Sequence, residues 1–481
     1  MKSSKNFIFE CGGAKALVCF ALILSLFTVY VTPAGAITPP AAKTNAQLLG
    51  GLLGGGGLLP SSRYIVRDTQ GLLGLNVTCI VFGCKVVEGI GDPNNQLYVV
   101  TVASLLSPLL IITNLLSGAG ITNVELDQTV NTQGSTVGTL PAYLNDRTLV
   151  SYYGAQVWDG YVEQTPNEII NTELTQSTFG ATGAGVTVAL IDTGVDPNNT
   201  ILKSHLVYGY DFTRNKTGGS EMGDITQSTV GVVDSYAQPA QLNQSTVGVV
   251  DQSTVGVVDN SQYSAFGHGT MTAGIVHLVA PQANLMPLKA FSANGTGLAS
   301  DVLRAIYYGV NHGAKVISMS FDFTSPSQEL ATAINYATSR GVICVASAGN
   351  DGKIEAVYPA SLSNVIDVAS TSANNTPSTF SNYGAPPVWL SAPGEAVLTT
   401  YPYGTYAVGW GTSFSAPLVS GTVALMAGTN GLLLNKEEAA EALSHAHPIP
   451  YSQFGHGVLD TYQAVQAWKN AQGPGGTLLP D

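Results

Sequence analysis

Buried β-strands are the feature that most limits what this chain can fold into. Downstream of residue 183 the sequence contains the apolar runs VTVALID, AKVISMSFD, VICVASAGN and NVIDVAS. Their apolar residues are continuous rather than alternating, which is typical of strands covered on both faces of a parallel sheet. SDVLRAIYYGVNHG and SPSQELATAINYATSRG lie between runs and carry helical start and stop signals. We therefore predict an α/β fold with a doubly wound, mostly parallel sheet, whose site lies beyond the carboxyl ends of the strands.

A smaller pattern lies upstream, within residues 63–130. The sequence predicts a strand, a helix, two strands, a helix and a strand, in the order RYIVR, GLLGLNVTCIVFG, KVVEGI, LYVVTVAS, SPLLIITNLLSGAG and ITNVEL. This is the split βαβ order, so we predict a small α+β, ferredoxin-like unit ahead of the larger domain. Cys79 and Cys84, in its CIVFGC stretch, either form a disulfide or remain free thiols.

The N-terminal segment has the features of a secretory signal. Residues 1–36 combine Lys2, Lys5 and Lys15 with the apolar run ALVCFALILSLFTVYV and the small residues AGA at their end. An N-terminal membrane anchor is the alternative, because the run is nearly long enough to span a bilayer. We expect the signal to be removed, which leaves a secreted protein with no membrane partner.

Composition limits the other partners of the chain. Of its 481 residues only 10% are charged, and the net charge is −13 at pH 7. A chain this acidic and this poor in Lys and Arg is not expected to bind nucleic acid. Outside the two patterned units, the sequence predicts a low-complexity linker at residues 37–62, a connector at 131–182 and a frayed tail at 471–481.

Reactive side chains stand at the ends of the predicted elements. Asp192 ends VTVALID, His268 opens a helix in GHGTMTAGIV, and Ser413 opens another in GTSFSAPLVSG. Nucleophilic acyl transfer needs these groups, because the serine attacks, the histidine takes and returns its proton, and the carboxylate fixes the imidazole tautomer. Asn350 ends VICVASAGN and is placed to donate to a developing oxyanion, with the N–H of Ser413 as second donor. These residues are our candidate catalytic set.

The same motifs resemble those of the subtilisin-like serine proteases. VALIDTGVD, GHGTMTAGIV, VISMSFD, SAGNDG and GTSFSAPLVSG follow one another in the family's order of Asp, His and Ser. The resemblance covers about residues 183–468. It implies a secreted, monomeric serine endopeptidase with Asp192, His268 and Ser413 as its triad, and with Asn350 and Ser413 in its oxyanion hole.

The resemblance also implies roles for other parts of the chain. Residues 183–470 would be the protease domain, and residues 63–130 a pro-domain that assists folding and occupies the cleft of a zymogen until it is removed. The candidate strands that flank a bound peptide are Gly295, Thr296 and Gly297 on one side and Ser320, Phe321 and Asp322 on the other. The expected partners are therefore protein or peptide substrates and the chain's own pro-domain.

The sequence departs from the family pattern in several places. Met271 stands where relatives often have a second histidine, and Asp322, where they have a glycine, is placed to narrow or charge the substrate cleft. The calcium loop that usually precedes residues 279–281 is missing, and Ile201 lies near the place of an aspartate that helps to bind the ion. Because calcium requires hard oxygen ligands, we predict no metal cofactor at that site. A different calcium site elsewhere stays open.

A short unit, QSTVGVVD, recurs between the predicted acid and base. Its copies lie at residues 227–234, 244–251 and 252–259. The unit favours β-structure and ends in an acid, so one interpretation is a short ribbon or an acidic loop at the cleft rim. The simpler interpretation is a surface insertion without a role. Three copies of this length are too few for a solenoid.

Two other functional classes fit part of this pattern. A non-catalytic peptide-binding or adhesion module that keeps the protease fold is suggested by the repeats and by Asp322, and it would bind peptides without cleaving them. An esterase of the α/β-hydrolase type requires a G-x-S-x-G elbow and the order Ser, acid, His. The stretch GTSFS and the observed order disagree with that class.

Overall fold

The computed structural model describes most of the chain downstream of residue 60. The described residues are 61–103, 106–131, 142–224, 247–249, 263, 265–384, 388–430 and 435–472. The predicted signal segment, the linker up to residue 60 and the tail beyond residue 472 lie outside this part of the chain. So do residues 132–141 of the connector and most of the repeat region.

A small α+β unit begins the described chain. Its elements are β1 (Ser61–Asp68), α1 (Gly71–Phe82), β2 (Cys84–Gly89), β3 (Leu97–Ala103), α2 (Pro108–Leu116) and β4 (Ile121–Leu126). The strands form one antiparallel sheet in the order β2–β3–β1–β4. This is the order of a split βαβ unit, so the ferredoxin-like fold predicted from the sequence is confirmed. Cys79 and Cys84 form a disulfide, which decides between the two thiol states that the sequence left open.

A connector links this unit to the larger one. Its elements are β5 (Thr129–Asn131), a 3-10 helix (Ala142–Asn145), β6 (Leu149–Tyr152), β7 (Ala155–Trp158), α3 (Asp159–Val162), α4 (Thr165–Ile169) and α5 (Thr172–Phe179). β6 and β7 pair as an antiparallel hairpin. Tyr152, Val157 and Tyr161 are buried in an apolar cluster that also contains residues of the larger unit. The connector therefore belongs to the packing of the larger unit.

The larger unit is built on an eight-stranded sheet. The strands of this unit are β8 (Thr187–Asp192), β9 (Tyr210–Asp211), β10 (Lys216–Thr217), β11 (Val247–Val249), β12 (Asn284–Lys289), β13 (Thr296–Leu298), β14 (Val316–Met319), β15 (Ile343–Ser347), β16 (Val365–Thr371), β17 (Leu390–Pro393), β18 (Val397–Tyr401) and β19 (Thr405–Gly409). The sheet order is β10–β9–β12–β8–β14–β15–β16–β17. Neighbours from β9 to β17 are parallel, and β10 pairs antiparallel with β9. The predicted mostly parallel sheet is confirmed.

Helices cover both faces of this sheet. They are α6 (His268–Val279), α7 (Ala299–Asn311), α8 (Gln328–Ser339), α9 (Thr412–Asn430), α10 (Lys436–Ser444) and α11 (Thr461–Ala471), with 3-10 turns at Met222–Asp224, Pro402–Gly404 and Ser452–Phe454. Within the described chain, none of the helices is both long and apolar enough to cross a bilayer.

The two faces of β8 show why its sequence is continuously apolar. Val188 and Leu190 pack in the cluster that contains α6 and α9, whereas Ala189 and Ile191 pack in the cluster that contains α7 and α8. Alternate residues of a strand point to opposite faces, so β8 is covered on both. The doubly wound architecture is confirmed. Cys344, in β15, is equally buried, and burial raises the pKa of its thiol to about 12.

A separate sheet contains part of the repeat region. Its antiparallel order is β11–β19–β18. β11 belongs to the second copy of QSTVGVVD and pairs with β19. β19 ends four residues before Ser413 in the sequence. This copy therefore contributes a strand, as the ribbon interpretation requires. The first and third copies lie outside the described residues.

Candidate active site

Asp192 lies at the carboxyl end of β8, in the middle of the parallel sheet. Its side chain is buried, and the carboxylate accepts hydrogen bonds from the N–H of Thr193 at 2.6 Å and the hydroxyl of Thr272 at 3.1 Å. A further hydrogen bond joins its Oδ1 to Nδ1 of His268 at 2.7 Å. These contacts hold the carboxylate in one orientation, toward the imidazole.

His268 is the first residue of α6. Because its Nδ1 donates to Asp192, its Nε2 is the acceptor nitrogen of the neutral ring. Nε2 is buried and has no hydrogen-bond partner among the described residues. Burial alone would lower the pKa of His268, but the carboxylates of Asp192 and Glu221 outweigh it and raise that pKa above its ordinary value. This imidazole is held at one nitrogen and open to a proton at the other.

Glycines on both sides of His268 allow the acid and the base to meet. A Cβ on Gly269 would lie 2.0 Å from the carbonyl oxygen of Gly194, which follows the Asp192 segment. Gly267 has a φ of 89°, and a Cβ there would lie 2.2 Å from the ring of Tyr401. A larger side chain at residue 269 would push α6 away from the segment after β8, and one at residue 267 would push it away from Tyr401 in β18, which accounts for the GHG sequence.

Ser413 lies in the first turn of α9 and is buried. Its hydroxyl donates to the carbonyl of Ser320 at 3.3 Å, and the hydroxyl of Ser320 donates to the carbonyl of Ser413 at 3.0 Å. The ring of Phe414, the next residue, packs edge-on against the His268 ring with centroids 5.8 Å apart. The structure thus brings His268 to the start of α9, but it does not join Nε2 to the Ser413 hydroxyl. Such contacts are often loose without substrate.

Asn350 lies beside the start of α9. Its amide oxygen accepts from the N–H and the hydroxyl of Thr412, both at 2.9 Å. Thr412 directly precedes Ser413. Because a backbone N–H can only donate, the oxygen end of the amide contacts α9, and Nδ2 is its donor end.

The first predicted peptide-flanking segment is already paired with another strand. Thr296 and Gly297 lie in β13, and Gly295 precedes them with a φ of 77°. β13 pairs antiparallel with β5, so that Thr296 lies opposite Asn131 and Leu298 opposite Thr129. The chain that leaves the N-terminal unit therefore occupies this edge.

The second predicted segment, Ser320 to Asp322, directly follows β14. Ser320 contacts Ser413 as described above. The side chain of Phe321 is 3% exposed and packs against Phe291 with ring centroids 5.0 Å apart, so it belongs to the core. Asp322 is 7% exposed. Of this segment, the backbone and the side chains of Ser320 and Asp322 remain next to the candidate site.

Sequence reasoning missed Glu221, a buried carboxylate that links the acid and base segments. Its oxygens accept from the N–H of Gly267 at 2.8 Å, the hydroxyl of Thr193 at 3.0 Å and the hydroxyl of Thr270. Thr193 follows Asp192, and Gly267 precedes His268. Burial raises the pKa of Glu221 to about 7, against the hydrogen bonds and the nearby Lys289, which lower it. No motif marks this residue, because the repeats separate it from His268 in the sequence.

Metal ligands do not cluster in the described chain. No group of three or more His, Cys, Asp or Glu residues there could hold a metal ion. Ile201 and Met271 are both buried in the apolar cluster on the α6 side of the sheet. The expectation that the family's calcium site is missing stays a prediction.

Comparison with known proteins connects this geometry to a family. Residues 183–475 match the model of the subtilase family. Thermitase of Thermoactinomyces vulgaris is 32% identical over 296 residues, which cover 60% of this chain and 90% of thermitase. Subtilisin BL of Lederbergia lenta is 40% identical over 169 residues, which cover 33% of this chain and 62% of that protein.

A similar fold occurs in a crystal structure of fervidolysin from Fervidobacterium pennivorans, a keratinolytic enzyme related to subtilisin. The TM-score is 0.63 at 21% sequence identity, over 87% of this chain and 62% of that chain. The doubly wound fold places an acid, an imidazole and a hydroxyl at the ends of its elements, and the sequence matches place the chain among the serine peptidases. The chain belongs to the subtilase family, and it is a subtilisin-like serine endopeptidase that acts on peptides.

Proposed function

We propose that this chain is a secreted endopeptidase, made as a zymogen, that cleaves peptide bonds through Asp192, His268 and Ser413. The observation that carries the proposal is the 2.7 Å hydrogen bond between His268 Nδ1 and Asp192 Oδ1, together with a buried Nε2 for which the described residues offer no partner. Ser413 directly precedes Phe414, whose ring packs against the imidazole of His268. Acyl transfer is the chemistry that this combination supports best.

The proposed reaction begins when His268 Nε2 takes the proton of the Ser413 hydroxyl. The hydroxyl oxygen bonds to the scissile carbonyl carbon, while Asp192 keeps Nδ1 protonated and stabilises the imidazolium. Nδ2 of Asn350 and the N–H of Ser413 donate to the oxyanion, and one such side-chain donor contributes about 3–4 kcal/mol. His268 then protonates the leaving amine, and water releases the acyl group by the same steps.

The contact between β5 and β13 supports an inhibitory role for the N-terminal unit. β5 joins β13 as an added antiparallel strand, which is one mode by which a sheet edge binds an extended peptide. A peptide substrate that used the same edge would compete with β5. The attached unit would therefore keep the zymogen inactive until it is removed.

Carboxylates of the N-terminal unit also cap helices of the larger unit. Asp127 accepts from the N–H and hydroxyl of Ser300 at 3.0 and 2.9 Å, at the start of α7. Glu125 accepts from the N–H of Gln328 at 2.8 Å and the hydroxyl of Ser327 at 2.7 Å, at the start of α8. Ile65, Leu97 and Val99 are buried in the same apolar cluster as α7 and α8. This polar and apolar fit supports an intramolecular inhibitor.

The variant Ser413→Ala tests the proposed reaction. It should be secreted and folded by circular dichroism, but it should neither cleave casein nor react with a fluorophosphonate, and its N-terminal unit should stay attached. Ser420→Ala is the matched control, because it lies seven residues further along α9 and its hydroxyl donates to the carbonyl of Ala416 and the hydroxyl of Ser318, both at 3.0 Å. Full activity of Ser413→Ala would refute the proposal. Peptide binding without turnover by the processed wild type would favour the non-catalytic module.

Export is a separate part of the proposal. It is supported by the basic start, the apolar run and the small residues of segment 1–36. N-terminal sequencing of the Ser413→Ala zymogen from the medium should show that this segment is missing. Recovery of the intact N-terminus in the membrane fraction would favour the anchor instead.

A further inference from the structure

We propose that Asp322 selects substrates with an arginine or lysine immediately before the scissile bond. This inference rests on the proposed function, because it assigns a substrate class to the same site. It is carried by the position of the carboxylate between the segments that hold Ser413 and Asn350, and by the absence of a partner for that carboxylate among the described residues.

The segment that carries Asp322 contacts the proposed nucleophile directly. Ser320 exchanges two hydrogen bonds with Ser413, at 3.0 and 3.3 Å. Phe321 and Phe323 are both buried in the apolar cluster beneath the segment, with ring centroids 6.0 Å apart. Because alternate residues of extended chain lie on opposite sides, Ser320 and Asp322 lie on the side away from that cluster. This is the side of Ser413.

The segment before Asn350 lies across from Asp322. A Cβ on Gly349 would lie 3.4 Å from Oδ2 of Asp322, and the φ of 96° at Gly349 also favours glycine. The N–H of Gly349 donates to the hydroxyl of Thr412 at 3.2 Å, which places this segment against the start of α9. In the proposed reaction, the substrate residue before the scissile bond has its carbonyl group between Ser413 and Asn350. The side chain of that residue would therefore lie beside Asp322.

The carboxylate of Asp322 has no counter-charge among the residues that the structure describes. Burial, with the charges of Asp351 and Glu355 as smaller causes, raises the pKa of Asp322 to about 7. Among the described residues, no donor or cation offsets these effects. Lys353, which lies between Asp351 and Glu355 in the sequence, forms an ion pair with Glu355 at 2.7 Å. A nearly buried carboxylate of this kind is costly, and a cationic ligand would relieve the cost.

Arginine and lysine have the chemistry that this position needs. A guanidinium donates two parallel hydrogen bonds to a carboxylate, and an ammonium supplies a compact charge on a flexible stem. An apolar side chain would leave the carboxylate buried without a partner, and an acidic side chain would add repulsion to that of Asp351 and Glu355. The expected order is therefore arginine, then lysine, then neutral residues, then acidic residues.

Peptides that differ only in the residue before the scissile bond test this order. The full chain is expressed and allowed to mature, and it is given peptides with arginine, lysine, citrulline, norleucine, alanine, glycine or glutamate at that position. Citrulline keeps the shape of arginine without its charge, so we expect kcat/KM for the arginine peptide to be about 10–100 times that for the citrulline peptide. Asp322→Asn should reduce the arginine value to that of citrulline. Glu355→Gln, which removes a charge from the neighbouring loop, should keep most of the preference.

Equal kcat/KM for the arginine and citrulline peptides in the wild type would overturn this inference. A preference for glycine and alanine that Asp322→Gly removes would also overturn it. Asp322 would then select substrates by narrowing the cleft and not by binding a positive charge. If Asp322→Asn fails to fold, the wild-type comparison still decides. Failure of the proposed function is distinct, since no peptide would then be cleaved and no serine would react with a fluorophosphonate.

Discussion

The charge of the His268 ring is controlled by carboxylates at two distances. Asp192 contacts Nδ1 directly. Glu221 does not contact the ring: it accepts from the N–H of Gly267, the preceding residue, and its charge raises the pKa of His268. Both favour the protonated ring, whereas burial of the imidazole favours the neutral one. Since the carboxylates prevail, protonation of His268 should control activity in the neutral pH range.

We expect kcat/KM to rise with pH as His268 loses its proton, because only the neutral imidazole can accept the proton of Ser413. The pKa of His268 is raised, so the midpoint of this rise should lie above the ordinary histidine value of about 6.5. A pH–rate profile with a neutral peptide measures it. A rate that does not change between about pH 5 and pH 8 would count against the role of His268.

Glu221→Gln should move this rise to lower pH. The substitution removes a negative charge that favours the imidazolium. If the amide oxygen keeps the bonds from Gly267 and Thr193, the buried hydroxyl of Thr270 loses its acceptor. We also expect the free energy of unfolding to fall by about 1–3 kcal/mol. Glu173→Gln, at an exposed position on α5, is the matched control. Profiles that coincide in both variants and the wild type would show that Glu221 does not tune His268.

The contact between Asp192 and His268 could be predicted from the sequence, but the contacts of Glu221 and the bond from Ser413 to Ser320 could not. Asp192, His268 and Ser413 each stand beside glycines or small residues in short local motifs, because the backbone must approach closely there. Glu221 reaches the same place from a distant loop, and its role depends on three contacts that no local pattern encodes. The bond from Ser413 to Ser320 depends on a side-chain rotamer, which the sequence does not specify.

Helices α7 and α8 present their N-termini to the N-terminal unit. The first N–H groups of a helix lack partners within it, and the helix dipole favours negative charge at that end. Asp127 and Glu125 supply the acceptors. Arg67 adds a hydrogen-bonded ion pair with Glu329 in the first turn of α8, where the glutamate is 1% exposed. Loss of the unit would leave these groups to water.

Glu125→Ala should weaken the attachment of the N-terminal unit. It removes the carboxylate that accepts from the N–H of Gln328 at the start of α8, and such a contact is worth about 1–2 kcal/mol. The lag between secretion and casein cleavage should therefore shorten by a factor of about 5–30. Lys85→Ala, at an exposed position on β2, is the control. An unchanged lag in Glu125→Ala would show that this cap does not hold the zymogen together.

Element type could be predicted where burial is uniform. The runs in β8, β14, β15 and β16 are continuously apolar because both faces of these strands are covered. The sequence predicts strand β11 less clearly, because its segment forms a strand by pairing with β19, which is distant in the sequence. The Cys79–Cys84 disulfide likewise depends on how α1 meets β2.

The described chain pairs β5 with β13, the edge where we propose that a substrate binds. Described residues of the α+β unit and of the connector each share an apolar cluster with the protease unit, so these parts of the chain pack together. The same packing puts Ile201 in the core, where relatives are expected to have an ion ligand. Stability should therefore come from packing rather than from the family's calcium site.

Treatment with EDTA should leave the thermal midpoint of the processed enzyme unchanged to within about 2 °C. An ion present at about 100 times its dissociation constant would add about 3 kcal/mol to the free energy of unfolding. Removal of that ion would lower the thermal midpoint by several degrees. Differential scanning calorimetry with EDTA or with added calcium measures the difference. A large fall that calcium reverses would reveal an ion site that the sequence did not predict.

The central claim is that an acid, an imidazole and a hydroxyl from distant parts of the chain act together. Peptide mapping by mass spectrometry after fluorophosphonate treatment tests it most directly. We predict one adduct, on Ser413, which forms at least about 1,000-fold more slowly in His268→Ala. An adduct on another residue, or an equal rate in His268→Ala, would contradict the claim.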